Sequence, residues 1–476
     1  MQATALAPLL IDGAWTGEAE VERTNPARPS ETVVRSARAT EADVDDAIAA
    51  AVRASLAWRR TAPPARGAIL TRAAEVLAGR REAVARELCA EEGKTLREAT
   101  GEVGRAIDIL RFFGGEGWRI SGEALLGADG STQLLTRKEP IGVVAIVTPW
   151  NFPIAIPTWK IAPALVSGNT VVFKPASLTP LSAHRLAECL VEAGLPPGVL
   201  NLLHGSGSGI GDALVADQRV AAVSFTGSTQ VGLHINDLVS ARLGRVQLEM
   251  GGKNALVVLD DADPRRAAQI TAQGAFGLTG QACTATSRVI CGAGVHDAFV
   301  EALRTEIANW KPGDGADDAT RMGPVVSESQ LQTNLDFLRA AAEDGATAVA
   351  GGTASGLFFD PVVLVDVEPS SRVATEEIFG PVVAVFETAG LDEALELAND
   401  STYGLTAGVV TNNLAAAMRF ADESEVGVVK INQATSGLEL NVPFGGTKLS
   451  STGTYREQGR GAIDFYTRIK TIYLGT

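Results

Sequence analysis

The chain has 476 residues, with 41 Lys and Arg against 56 Asp and Glu, a formal net charge of −15. That length suggests roughly two to four domains, and the balance of 46% hydrophobic to 20% charged residues excludes a disordered or collagen-like chain. The acidic balance argues against a protein built to bind nucleic acid, no apolar run approaches the ~20 residues that cross a bilayer, and Met1–Trp15 lacks a signal-peptide pattern. The expected location is cytoplasmic.

The first fifth reads as helices. Thr40 and Asp43 suit a capping box, Val44, Ile48, Val52 and Leu56 follow at helical spacing, and Pro63-Pro64 punctuates before a second stripe through Ile69, Leu70, Ala73, Val76 and Leu77. Packing accounts for these faces, and no chemistry is expected before Ile141. Residues 122–137 read as a hairpin reaching out of the globule, with Phe465–Tyr473 as its pairing strand.

From Ile141 short apolar runs alternate with helical stretches. Ile141–Val147, Asn169–Phe173, Val199–Leu203, Val220–Phe225 and Val246–Glu249 read as strands of a mostly parallel, doubly wound α/β sheet. Strands at Ala255–Leu259 and Arg288–Cys291, with helices at Asp263–Gly277 and His296–Trp310, begin a second α/β unit near Gly251.

Four cysteines and four histidines are scattered without a CxxC pair, so neither a disulfide framework nor a metal site is expected. Any special cysteine acts alone. Cys283, in Gly280-Gln281-Ala282-Cys283-Thr284, sits among small and polar residues that leave room for a carbonyl. Glu249 closes an apolar strand just before Gly251-Gly252, where side chains crowd and ligands of open α/β sheets bind. Asn151, in Thr148-Pro149-Trp150-Asn151-Phe152-Pro153, is an amide on a proline-fixed turn, suited to donate to an oxyanion. Lys174 to Ser177 and Phe225 to Thr229 follow strands and suit a ribose and a pyrophosphate. Each element alone also has an ordinary structural explanation: a buried cysteine, a solvated carboxylate, a self-satisfied turn.

Taken together and in order, TPWNFP, KPAS, FTGST, LEMGGKN, GQAC, EEIFGPV and PFGGTK closely resemble the aldehyde dehydrogenase family over nearly the whole chain. The resemblance implies that Cys283 is the nucleophile, Glu249 the general base and Asn151, with the Cys283 backbone N–H, the oxyanion hole, while Lys160 and Glu457 relay protons. It implies NADP or NAD as cofactor, held by Trp150, Lys174, Ser177, Gly227, Ser228, Gly251, Glu377 and Phe379. A small neutral Ser177, where many NAD-preferring relatives carry Glu, implies that NADP+ is accepted.

The resemblance also implies two doubly wound α/β domains, a Rossmann-like cofactor domain over residues 1–120 and 140–250 and a catalytic domain over 251–442. A projecting β-hairpin arm over 121–139 and 460–476 is expected to join homodimers or homotetramers. Within the family, KPASLTP, QLEMGGKN, VPFGGTK and SSTGTYREQGR look most like the alpha-ketoglutaric semialdehyde dehydrogenases. A succinate-semialdehyde enzyme or a broad-specificity aliphatic or aromatic aldehyde dehydrogenase is the alternative, because Phe152, Ile156, Trp159, Leu438 and Val442 form an apolar tunnel and Ala282 stands where semialdehyde enzymes often carry Arg. A cofactor-independent cysteine hydrolase is the reading from another class.

Overall fold

The computed structural model describes residues 4–475, so Met1–Ala3 and Thr476, which the expected cofactor domain and arm include, lie outside the described residues. Two seven-stranded sheets dominate. In the first, the strands run in the order Arg245–Glu249, Val220–Thr226, Val143–Val147, Thr170–Lys174 and Leu200–Leu202, all parallel, and Leu9–Ile11 and Ala14–Thr16 extend the edge antiparallel. These are short runs rich in Val, Leu and Ile, largely buried because helices cover both faces, which is why they read as apolar stretches without alternation.

The order reverses beside Val143–Val147, whose successors lie on one side and Val220–Thr226 on the other. Such a switch opens a crevice at the carboxyl ends of the strands. Thr148, Pro175, Gly227 and Met250 begin the loops that line it.

The second sheet is ordered Thr347–Ala350, Val362–Val365, Val382–Thr388, Thr286–Gly292, Asn254–Val258, Thr406–Val410 and Val428–Ile431, and only the first of these is antiparallel. The chain passes from one sheet to the other between Glu249 and Asn254, through Gly251-Gly252. Glu249 stands at the start of this junction, and Cys283 is tied to its end, its carbonyl accepting from the Asn254 side chain at 2.8 Å.

The expectation of helices throughout the first fifth fails before residue 40. Ala5–Ala7, Leu9–Ile11, Ala14–Thr16, Ala19–Asn25 and Arg28–Ala37 are strands. Their exposure alternates along Ala19–Asn25, and the tight turn at Asp12-Gly13, with φ of 52° and 82°, folds two of them onto the edge of the first sheet. From Glu41 the helices form: Thr40 and Asp43 make a capping box on Glu41–Trp58, and Thr95 and Glu98 make another on Leu96–Glu116.

A third sheet joins Ala124–Leu126, Gln133–Pro140 and Thr467–Leu474 in antiparallel register, from Thr467 opposite Pro140 to Leu474 opposite Gln133. Its Leu126, Ile469 and Tyr473 are exposed. Among the described residues no helix is long and apolar enough to cross a membrane, and no cluster of His, Cys, Asp and Glu is arranged to hold a metal ion.

Candidate active site

Glu249 ends its strand almost completely buried. One carboxylate oxygen accepts from Ser451 Oγ at 3.0 Å, and the other, also buried, has no protein partner. Burial, with Glu457 nearby, holds this carboxyl well above the ordinary range, against the opposing pull of Lys160. A carboxyl shifted in this way is a competent base near neutrality.

Cys283 follows a strained turn. The helix Pro264–Phe276 gives way to Leu278, Thr279 and Gly280, all with positive φ (54°, 58° and 67°). A Cβ on Gly280 would lie 2.2 Å from the Gly380 carbonyl oxygen, so only glycine fits. The turn is tied down by Leu278 N–H donating to Glu98 at 2.8 Å, Thr279 Oγ1 to the Gly323 carbonyl at 3.0 Å, and Val326 N–H to the Gln281 side chain at 2.9 Å. Cys283 is partly exposed, whereas Cys89, Cys189 and Cys291 are buried. Desolvation pushes its thiol up, and Glu377, Glu249 and Glu457 add to that, so a thiolate here needs a neighbouring base to take its proton.

Asn151 is buried, and its side-chain amide donates to the Gln281 carbonyl at 2.9 Å. An amide nitrogen carries two N–H donors, so this bond fixes its orientation and leaves the second free. The loop itself is held from the helix Leu96–Glu116. Lys94 Nζ donates to the Asn151 carbonyl and to Glu102, both at 2.6 Å, while Glu102 accepts from the N–H groups of Ile154 and Ala155 at 3.0 and 3.1 Å. Lys94 also lies 4.7 Å from the Phe152 ring centre.

This pairing contradicts the expectation that nothing before Ile141 bears on the chemistry. The sequence did carry a signal: Glu102 falls in the buried stripe of Ala99, Val103, Ala106 and Ile109, where a lone charge demands a partner.

Lys160 and Glu457 come together as a buried ion pair. Lys160 also donates to Ser224 Oγ at 3.0 Å, and Glu457 accepts from Trp159 Nε1 at 2.7 Å.

The residues expected to hold a nicotinamide cofactor line the crevice of the first sheet and its rim, and their chemistry fits that group. Lys174 is buried, its Nζ reaches only the neighbouring Pro175 carbonyl at 3.4 Å, and desolvation pulls it down to about 8. A buried cation so poorly partnered suits a ribose or phosphate oxygen. Ser228 precedes the helix Thr229–Ser240 without capping it, which leaves the N-terminal N–H groups free for an anion. At Gly227 a Cβ would lie 2.5 Å from the Phe225 ring.

On the other side, Glu377 accepts from the Gly252 N–H at 3.0 Å, and a Cβ on Gly251 would strike its carboxylate at 2.2 Å. Burial of that carboxyl pushes it up to about 7. The Phe379 and Trp150 rings meet edge to face, centres 5.4 Å apart. Ser177 is exposed and donates to the Gly205 carbonyl at 3.0 Å.

Of the tunnel candidates, Ile156 and Trp159 are buried, with Phe152 packed against the same core, and Leu438 is partly buried. Val442 is 50% exposed. Trp159 lies 6.3 Å from Phe444, whose backbone pairs with Glu457. Leu440 and Tyr455, outside the expected tunnel set, pack against the same core as Phe152.

The profile of the aldehyde dehydrogenase family matches residues 15–472. The chain is 48% identical to the alpha-ketoglutarate semialdehyde dehydrogenase of Haloferax volcanii, over 97% of this chain and 98% of that one. It superposes on the crystal structure of betaine aldehyde dehydrogenase from Staphylococcus aureus in complex with NAD+ with a TM-score of 0.96 and 34% identity, covering 99% of this chain and 95% of that one. An NADP-dependent enzyme of E. coli gives a TM-score of 0.95 and 35% identity, covering 99% and 98%.

Proposed function

The chain belongs to the aldehyde dehydrogenase family, and from that premise we propose that its substrate is alpha-ketoglutaric semialdehyde, oxidised to alpha-ketoglutarate. It is an NAD(P)-dependent enzyme that converts an aldehyde to a carboxylate. The semialdehyde is supported by the near-full-length identity to a relative of that name.

The observation that carries the mechanism is the buried, half-partnered Glu249 carboxylate, whose field reaches a partly exposed Cys283 on a constrained turn. The Cys283 thiol gives its proton to Glu249, and the sulfur adds to the aldehyde carbon. The oxyanion that develops is held by the second Asn151 N–H and the Cys283 backbone N–H, donors of a kind worth roughly 2.7–4 kcal/mol of barrier each. When bound, the nicotinamide supplies the hydride acceptor that turns this adduct into a thioester. Glu249 passes that proton on and then takes another from water, the resulting hydroxide adds to the thioester carbon, and the C–S bond breaks to release the carboxylic acid and the Cys283 thiolate. Lys160 and Glu457 carry the proton away from Glu249. Lys174, Ser228 and Glu377 would hold the cofactor, while Gly227 and Gly251 leave room for the Phe225 ring and the Glu377 carboxylate.

The first sheet with its flanking helices acts as the cofactor domain and the second as the catalytic domain. The three-stranded arm joins subunits into dimers or tetramers, which explains its exposed Leu126, Ile469 and Tyr473. Size-exclusion chromatography with light scattering tests the assembly.

A panel of semialdehydes and neutral aldehydes, assayed with NAD+ and NADP+ by the absorbance of reduced cofactor, tests the substrate. Higher kcat/KM for neutral long-chain or aromatic aldehydes would reject it.

A further inference from the structure

A semialdehyde acid carries a carboxylate remote from the reacting carbon, yet Ala282 puts only a methyl group beside the nucleophile. We propose that Arg105, assisted by Gln458, binds that remote carboxylate and so selects acidic aldehydes. The proposal rests on the semialdehyde reading above.

Arg105 lies on Leu96–Glu116, one turn after Glu102. Side chains three apart share a helix face. Because Glu102 accepts from the N–H groups of Ile154 and Ala155, that face abuts the start of the helix Ala155–Ser167, which carries Ile156 and Trp159. On its other side, Arg105 Nη2 donates to Gln458 Oε1 at 2.8 Å. Gln458 follows Glu457, the carboxylate that accepts from Trp159 Nε1. Gly459 N–H in turn donates to the Leu440 carbonyl at 2.9 Å, tying this turn to the segment that carries Leu438 and Val442. The guanidinium is thus bracketed by the segments that supply the apolar tunnel candidates.

Both groups have unused capacity for a carboxylate. A guanidinium presents five N–H donors in a fork, and Gln458 takes one bond. The Arg105 residue is partly buried, and among the described residues no carboxylate forms an ion pair with it. Glu439 and Asp108, both exposed, are the acidic groups whose field reaches it. Burial pulls the guanidinium down from its ordinary value against those two charges. Gln458 is 1% exposed, and its amide nitrogen has no hydrogen-bond partner. Its φ of 58° holds it in a left-handed turn. A half-desolvated cation beside an orphaned N–H donor is the chemistry of a carboxylate receptor, where charge-assisted and forked bonds are strongest.

The test compares glutaric semialdehyde with pentanal, which has the same length and no carboxylate. Wild-type enzyme is expected to prefer the acid. In Arg105→Met the ratio of kcat/KM, acid over neutral, is expected to fall on the order of 100-fold, mainly through KM. Arg105→Lys should recover part of the ratio. Glutarate, measured as an inhibitor against pentanoate, should lose its advantage in step. Should Arg105→Met not fold, Gln458→Met carries the same test with an expected fall of about tenfold.

If the wild type prefers the acid and neither variant moves the ratio, or if both substrates weaken equally, the anchor is wrong while the semialdehyde reading stands. If the wild type shows no preference for the acid, the semialdehyde reading fails and the anchor fails with it.

Discussion

The Lys94 ammonium donates to the main-chain carbonyl of Asn151 at 2.6 Å while pairing with Glu102 at 2.6 Å, so a buried ion pair fixes the loop that carries the candidate oxyanion donor. Neither residue touches the reacting atoms. They act through backbone position: Lys94 holds one end of the loop and Glu102 caps the helix that follows it.

Lys94→Met leaves Glu102 buried and unpaired, which is expected to cost about 3–5 kcal/mol of stability. The double variant Lys94→Met, Glu102→Gln should recover much of that loss in denaturant melts, because the amide oxygen still accepts from Ile154 and Ala155. Its kcat should stay depressed, by roughly tenfold or more, because a misplaced donor no longer matches the oxyanion. Recovery of kcat together with stability would show that the pair serves only folding.

Cys283→Ala should abolish aldehyde oxidation. Glu249→Gln should still form one equivalent of reduced cofactor per site in a rapid burst, then stall at the thioester. Stopped-flow absorbance distinguishes the two outcomes, and steady turnover in either variant contradicts the roles given to these residues.

In the proposed cofactor site, Ser177 stands uncharged at a position where a carboxylate would repel a 2′-phosphate. Ser177→Glu should therefore lower kcat/KM for NADP+ by about 10–100-fold while sparing NAD+. Negligible wild-type turnover with NADP+ would show that Ser177 does not admit a 2′-phosphate.

Lys253 is buried, its Nζ has no hydrogen-bond partner, and desolvation, with Arg288 adding to it, pulls it down to about 7 from 10.5. Between these values the folded protein binds fewer protons than the unfolded chain, so this residue makes stability rise with pH across that window. The cost of burying its charge is full below pH 7 and vanishes above pH 10.5. Lys253→Met should raise Tm most at pH 6 and progressively less toward pH 9. An equal gain at every pH would refute the titration.

The parallel strands are legible in the chain alone, because buried runs such as Val143–Val147 and Asn254–Val258 have no polar alternation to satisfy and read the same in any context. So is the family, because Cys283, Glu249 and Asn151 sit in contiguous motifs whose local chemistry is written side by side. The N-terminal strands escaped because three-residue segments such as Leu9–Ile11 gain their pairing only from the edge of the first sheet. How distant charges meet is settled only by the folded chain. Glu102 reaches across 52 positions to cap a helix, Lys94 holds Asn151 across 57, and Arg105 meets Gln458 across 353. No periodicity records such pairs, since a buried charge announces only that it needs a partner, and the packing of helices against the sheet chooses which one.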